Sequence, residues 1–104
     1  MDKNAAIDVI GRFRSALDAR GLRHVRIVLF GSYAEGTQHE GSDIDVVVIS
    51  DEFAGMDYWE RIRILAQAIC DIFEPIEAVA MTTEEWERGD SLIAQYARNG
   101  VAIT

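Results

Sequence analysis

Residues 30–50 read FGSYAEGTQHEGSDIDVVVIS, and the order of residue types along this stretch decides the fold. A mostly apolar run over 25–30 halts at Gly31-Ser32, a polar loop follows, and Ser42-Asp43-Ile44-Asp45 leads into a second apolar run over 46–49. The pattern is strand, turn, strand. Side chains on a strand alternate between faces, so Asp43 and Asp45 share one face while Ile44 takes the other, toward the core. The two carboxylates then stand roughly 6.6 Å apart along the backbone, near enough to hold one hard cation, or two in a shared cluster. Without a cation they resist simultaneous ionisation, and a divalent ion removes that conflict.

Gly31 and Ser32 supply the other half of the candidate site. A Gly-Ser turn running into a short helix at Tyr33 and Ala34 exposes backbone N–H groups and one hydroxyl to an anion, and glycine lets that anion come close. The combination points to phosphate plus metal.

Working outward, 104 residues predict a single domain over 1–104 with one core. Hydrophobic residues make up 49% and there is one proline, which excludes a disordered chain. The net charge of −8, with Lys3 as the only lysine, argues against a surface for duplex nucleic acid, although nucleotides can still bind through metal. Cys70 is the single cysteine, so no internal disulfide forms. No signal peptide, membrane-crossing run or lipidation signal is found, and the expected location is the cytoplasm.

Ile7, Ile10, Phe13, Ala16 and Leu17 recur at helical spacing over about residues 3–20, with Gly21 at the C-cap position. Strands follow over 24–30 and 45–49, and then a loop over 50–57. Trp59, Ile62, Leu65, Ala66, Ile69 and Phe73 mark a second helix, ended by Pro75. A third strand is predicted over Ile76–Met81. Thr82 or Thr83 caps a short helix that stops near Gly89. Residues 91–98 form a last helix with Leu92, Ile93, Tyr96 and Ala97 on its apolar side, before a short tail over Val101–Ile103. The fold class is α/β (α+β), a mixed sheet of three strands, or four, flanked by helices.

In the third strand Glu77 is the one acid in an apolar segment, which is costly unless it is solvated, paired or on a metal. If its strand lies beside the Asp-x-Asp strand, as the resemblance drawn below implies, about 4.8 Å of separation lets Glu77 reach the space beside Asp43 and Asp45; an edge-strand position facing solvent explains it almost as well.

Gly31-Ser32, ten intervening residues and then Asp43-x-Asp45 entering an apolar strand resemble the fingerprint of the DNA polymerase beta-type nucleotidyltransferase superfamily. The chain looks most like its minimal nucleotidyltransferases, small proteins often paired with a HEPN-domain partner in toxin–antitoxin modules. The resemblance implies that Asp43 and Asp45 bind Mg²⁺, one ion or two. Glu77 then serves as a third metal ligand or as the base for the acceptor. Gly31, Ser32 and Ser42 hold the nucleotide, expected to be ATP. The implied reaction is attack of an acceptor hydroxyl on the α-phosphorus, with pyrophosphate leaving.

Two departures from the family pattern bear on binding. Tyr33 and Glu35 stand where many relatives carry arginines, which weakens the hold on a triphosphate, and Glu77 stands where Asp is common. The acceptor is expected from a partner, a second copy or a small molecule. The family favours AMP transfer to a tyrosine hydroxyl of a HEPN-domain protein. The competing readings are an inactive protein that masks its partner, and a transferase acting on a small molecule such as an aminoglycoside.

Plainer roles are expected elsewhere. Ser32 can cap the following turn as well as hold phosphate. Tyr33 covers the core edge in preference to stacking on a base, Cys70 packs in the core, and Trp59 and Trp86 act as packing anchors. Arg61 and Arg63, with Glu60, form a solvated face. His24 and His39 do not make a zinc pair; His39 can touch substrate from its loop, but a surface role is the plainer reading.

Overall fold

The computed structural model describes residues 1–103. Its first element, α1 (Lys3–Ala19), begins where the Asp2 carboxylate accepts the Ala5 N–H at 2.8 Å. It buries Val9, Ile10, Phe13 and Leu17 on one face. The strands are β1 (Arg26–Phe30), β2 (Ile44–Ile49), β3 (Ile76–Met81) and β4 (Val101–Ile103), in the spatial order β3-β2-β1-β4. β1 pairs antiparallel with both β2 and β4, whereas β2 and β3 run parallel, joined through α3 (Tyr58–Ile72). The tail over 101–103 is thus a fourth strand. Among the described residues, no helix is long and apolar enough to cross a membrane.

Strand alternation divides the core in two. Ile27, Leu29, Ile44, Val46, Val48 and Ile76 face α1 and α3. Val28, Val47, Ile49 and Met81 face Ala94 and Ala97 of α5 (Leu92–Ala97), with Trp86 of α4 (Thr83–Arg88) at the edge. Thr82 caps α4 with a reciprocal pair: its hydroxyl accepts the Glu85 N–H at 3.1 Å, and Glu85 Oε1 accepts the Thr82 N–H at 2.7 Å. Both α4 and α5 are short, so they leave one end of this sheet face uncovered.

Several expectations need correction. β1 begins at Arg26 and not at His24, because the backbone N–H groups of Arg23 and His24 donate to Glu52 Oε1, at 3.0 and 2.9 Å, instead of joining the ladder. The 50–57 loop contains a short 3-10 helix, Asp51–Gly55, with Phe53 fully buried. In α3 the buried face runs through Leu65 and Ala68, with Ile72 packed against it. At about 100° per residue, that turns Cys70 outward, and it is exposed. Trp59 is 68% exposed, resting on Tyr58 edge to face at 5.2 Å, and is no packing anchor. Phe73 takes the left-handed cap conformation, φ 54°, which swings it out of the stripe to 93% exposure. In α5 the small Ala94 and Ala97 are buried against the sheet, and Leu92 and Tyr96 remain largely exposed. Tyr33 is buried in the core, and Trp86 packs against the smaller cluster under the Arg98 guanidinium.

The Glu52 contacts predict a pH effect. The hydrogen bond from the His24 amide, followed by those from Ser50 and Arg23, holds the Glu52 carboxyl below its usual range despite partial desolvation. A depressed folded-state pKa contributes stability that is present above the unfolded value and lost as pH falls through the folded one. Glu52→Gln should therefore lower the melting temperature at neutral pH, and its deficit should shrink in acid. Thermal melts of both proteins across pH check this.

Candidate active site

Register brings the acids together. Phe30 on β1 stands opposite Asp45 on β2, and Asp45 stands opposite Glu77 on β3. Asp45 and Glu77 share the sheet face that carries Val47 and Val79, at the end that α5 leaves open. Asp43 lies exposed, one residue before β2.

The Asp45 carboxyl is pushed above the usual carboxylate range. Burial is the largest cause, then the charges of Glu77 and Asp43, then a hydrogen bond shared with Glu77. An acid pair in contact is what a hard cation relieves. Among the described residues, no three His, Cys, Asp or Glu side chains close into a ready ligand cluster. A pair with a third acid nearby still suits Mg²⁺, which keeps several waters and is commonly held by one or two carboxylates plus phosphate oxygens.

Gly31 turns the chain against this pair. Its φ of 74° and ψ of −155° belong to glycine, and a Cβ there would overlap Asp45 Oδ2 and stand 3.2 Å from its Cγ. The N–H groups of Ala34 and Glu35 return to the Gly31 carbonyl, both at 3.1 Å. Ser32 opens α2 (Ser32–Glu35), half-buried, with its amide and that of Tyr33 at the open end of the turn.

Ser42, next to Asp43 in the chain, does not line the cavity over Asp45 and Glu77. Its hydroxyl accepts the His39 N–H at 2.9 Å, and both residues line a separate hollow beside Tyr33 and Pro75. In that loop His39 Nδ1 lies 2.8 Å from the Glu40 carbonyl oxygen.

A cavity of about 610 Å³ opens over Asp45, Glu77 and Gly31 and is lined as well by Phe30, Leu92, Ile93 and Tyr96. Helical spacing in the sequence puts the last three on the apolar side of the last helix. Their signal was misread because Ala94 and Ala97 offer an equally good apolar face at three-residue spacing. The Tyr96 ring meets Phe30 edge-on at 5.7 Å, and its hydroxyl donates to Glu35 Oε2 at 2.8 Å. Glu35 therefore contacts α5 from the position where the resemblance expects a cation. Among the described residues lining the cavity there is no Lys or Arg.

A family model described as a nucleotidyltransferase domain matches residues 10–91. The protein adenylyltransferase MntA of Shewanella oneidensis is 48% identical over 44 residues, 41% of this chain and 32% of that protein. The match thus spans about a third of the relative's length. A solved structure described as a nucleotidyltransferase from Sulfolobus solfataricus superposes with a TM-score of 0.73 at 15% identity, covering 96% of this chain and 80% of that one. Another solved structure given the same description has a TM-score of 0.65 at 24% identity, covering 91% and 97% respectively. These two likenesses concern the fold. The chain belongs to the nucleotidyltransferase domain family.

Proposed function

We propose that this nucleotidyltransferase moves a nucleoside monophosphate, AMP from ATP, onto a hydroxyl of a partner protein, and that the partner is the HEPN-domain half of a toxin–antitoxin pair. The observation that carries the reading is the placement of Asp45 opposite Glu77 and against the Gly31 bend. The protein-acceptor class is supported by the name of the Shewanella relative, a protein adenylyltransferase. The proposed setting is the cytoplasm.

Asp45 and Glu77, with Asp43 as a further donor, are the residues that would hold Mg²⁺. When bound, the metal neutralises charge on the phosphates and on the entering and leaving oxygens. The missing Cβ at Gly31 lets the Asp45 carboxylate sit against the bend, and the Ser32 hydroxyl and open amides donate hydrogen bonds to a phosphate oxygen held there. Glu77, exposed at the sheet edge, accepts the proton of the incoming hydroxyl. Phe30 and Tyr96 wall the cavity with aromatic surface and orient what enters it.

A second reading, a weak or inactive protein that masks its partner, is favoured by the lack of Lys and Arg along the cavity. Incubation with labelled ATP, Mg²⁺ and the protein encoded next to it separates the two. Label on the partner that disappears with Asp43→Asn and Asp45→Asn supports transfer; a stable complex without label supports masking.

A further inference from the structure

We propose that Tyr96 is itself an acceptor, and that in the absence of an external hydroxyl the chain nucleotidylates its own phenol in cis. This rests on the transferase reading above. The chain has three tyrosines: Tyr33 is buried in the core and Tyr58 lies on α3, outside this cavity. Tyr96 is 56% exposed and borders the cavity that holds Asp45 and Glu77. It also borders an adjoining hollow of about 240 Å³ lined by Gly31 and Glu35.

The phenol carries what an acceptor hydroxyl needs. Glu35 Oε2 lies 2.8 Å from the hydroxyl oxygen, in position to take its proton, and Phe30 holds the ring edge-on. Glu35 forms no ion pair among the described residues that would occupy its carboxylate instead. The hydrogen bond and charge of Glu35, then burial and the Asp45 charge, hold the phenol above its usual pKa, so it keeps its proton until a base takes it during attack.

In the step, Tyr96 Oη attacks the α-phosphorus of a nucleoside triphosphate. The Oη–P bond forms, the bond from that phosphorus to the bridging oxygen breaks, and pyrophosphate leaves with the electron pair. The phenolic proton passes to Glu35. The product is a tyrosyl nucleotide that fills the cavity and closes it to other acceptors.

The test uses the purified chain alone with Mg²⁺ and labelled ATP, read by intact mass and peptide mapping. The expected result is one nucleoside monophosphate per chain, on Tyr96, at a rate per chain that dilution does not change. Mapping the wild-type protein locates the label without relying on a variant. Tyr96→Phe should lose it, and Glu35→Gln should slow it by about 10²-fold. Label on another residue, or a rate that rises with protein concentration, overturns the assignment. Magnesium-dependent nucleotide binding with transfer to the partner but no self-labelling overturns it and leaves the transferase reading standing. No nucleotide binding at all overturns both.

Discussion

Asp45→Asn is expected to reduce nucleotide transfer by about 10³-fold or more and, in the metal-free protein, to raise the melting temperature. Both effects follow from where the carboxylate sits. Burial and the charges of Glu77 and Asp43 raise its folded-state pKa. Such a group contributes stability that is full below the unfolded pKa and is lost as pH rises through the folded one. At neutral pH the ionised side chain is therefore a burden on the fold, and Asn removes the charge at nearly the same size. Melts from acid to neutral pH should show wild type gaining on the variant as pH falls. Added Mg²⁺ should raise the melting temperature of wild type by mass action and leave the variant nearly unmoved. An Asp45→Asn protein that transfers label at the wild-type rate would remove the basis of the site.

Gly31→Ala should cost stability and nucleotide binding together. The backbone conformation alone penalises alanine by about 1–3 kcal/mol. The added methyl also meets the Asp45 carboxylate, which must move out of register with Glu77. Gly36→Ala is a partial control: its φ of 77° and ψ of 20° lie in the left-handed region, a milder strain than at Gly31, and a Cβ there meets nothing within 4 Å. Both variants should melt lower, and Gly31→Ala alone should lose magnesium-dependent nucleotide binding, measured by calorimetry at a temperature where both are folded. Equal binding by the two would show that the close approach at position 31 is unimportant.

Much of this arrangement was legible because strands announce themselves by local pattern. The change from apolar run to Gly-Ser, and from Asp-x-Asp to apolar run, is contained within 30–50, and β3 was read with its observed bounds. Glu77 remained ambiguous because one strand's sequence does not state its register against a neighbour. The observed parallel register is what places it opposite Asp45. The helices were harder to read. In LIAQYA nearly every residue is apolar, so periodicity alone cannot say which face meets the sheet. The observed choice depends on close approach: a Cβ on Gly100 would overlap the Leu29 carbonyl oxygen, so α5 and the turn after it lie tight against β1. The same ambiguity hid the cavity wall formed by Leu92, Ile93 and Tyr96. It also misplaced Cys70 and Trp59, whose exposure follows from how α3 is rotated against α1 and β3.

The parallel pairing of β2 with β3 has a consequence for biogenesis. Neighbouring parallel strands cannot be joined by a tight hairpin, so Asp45 and Glu77 meet only after the whole α3 crossover has closed. The crossover is already synthesised when the second acid is added, so the pair forms when β3 itself docks. If the pair is the reactive centre proposed above, reactivity toward nucleotides is withheld until β3 has docked.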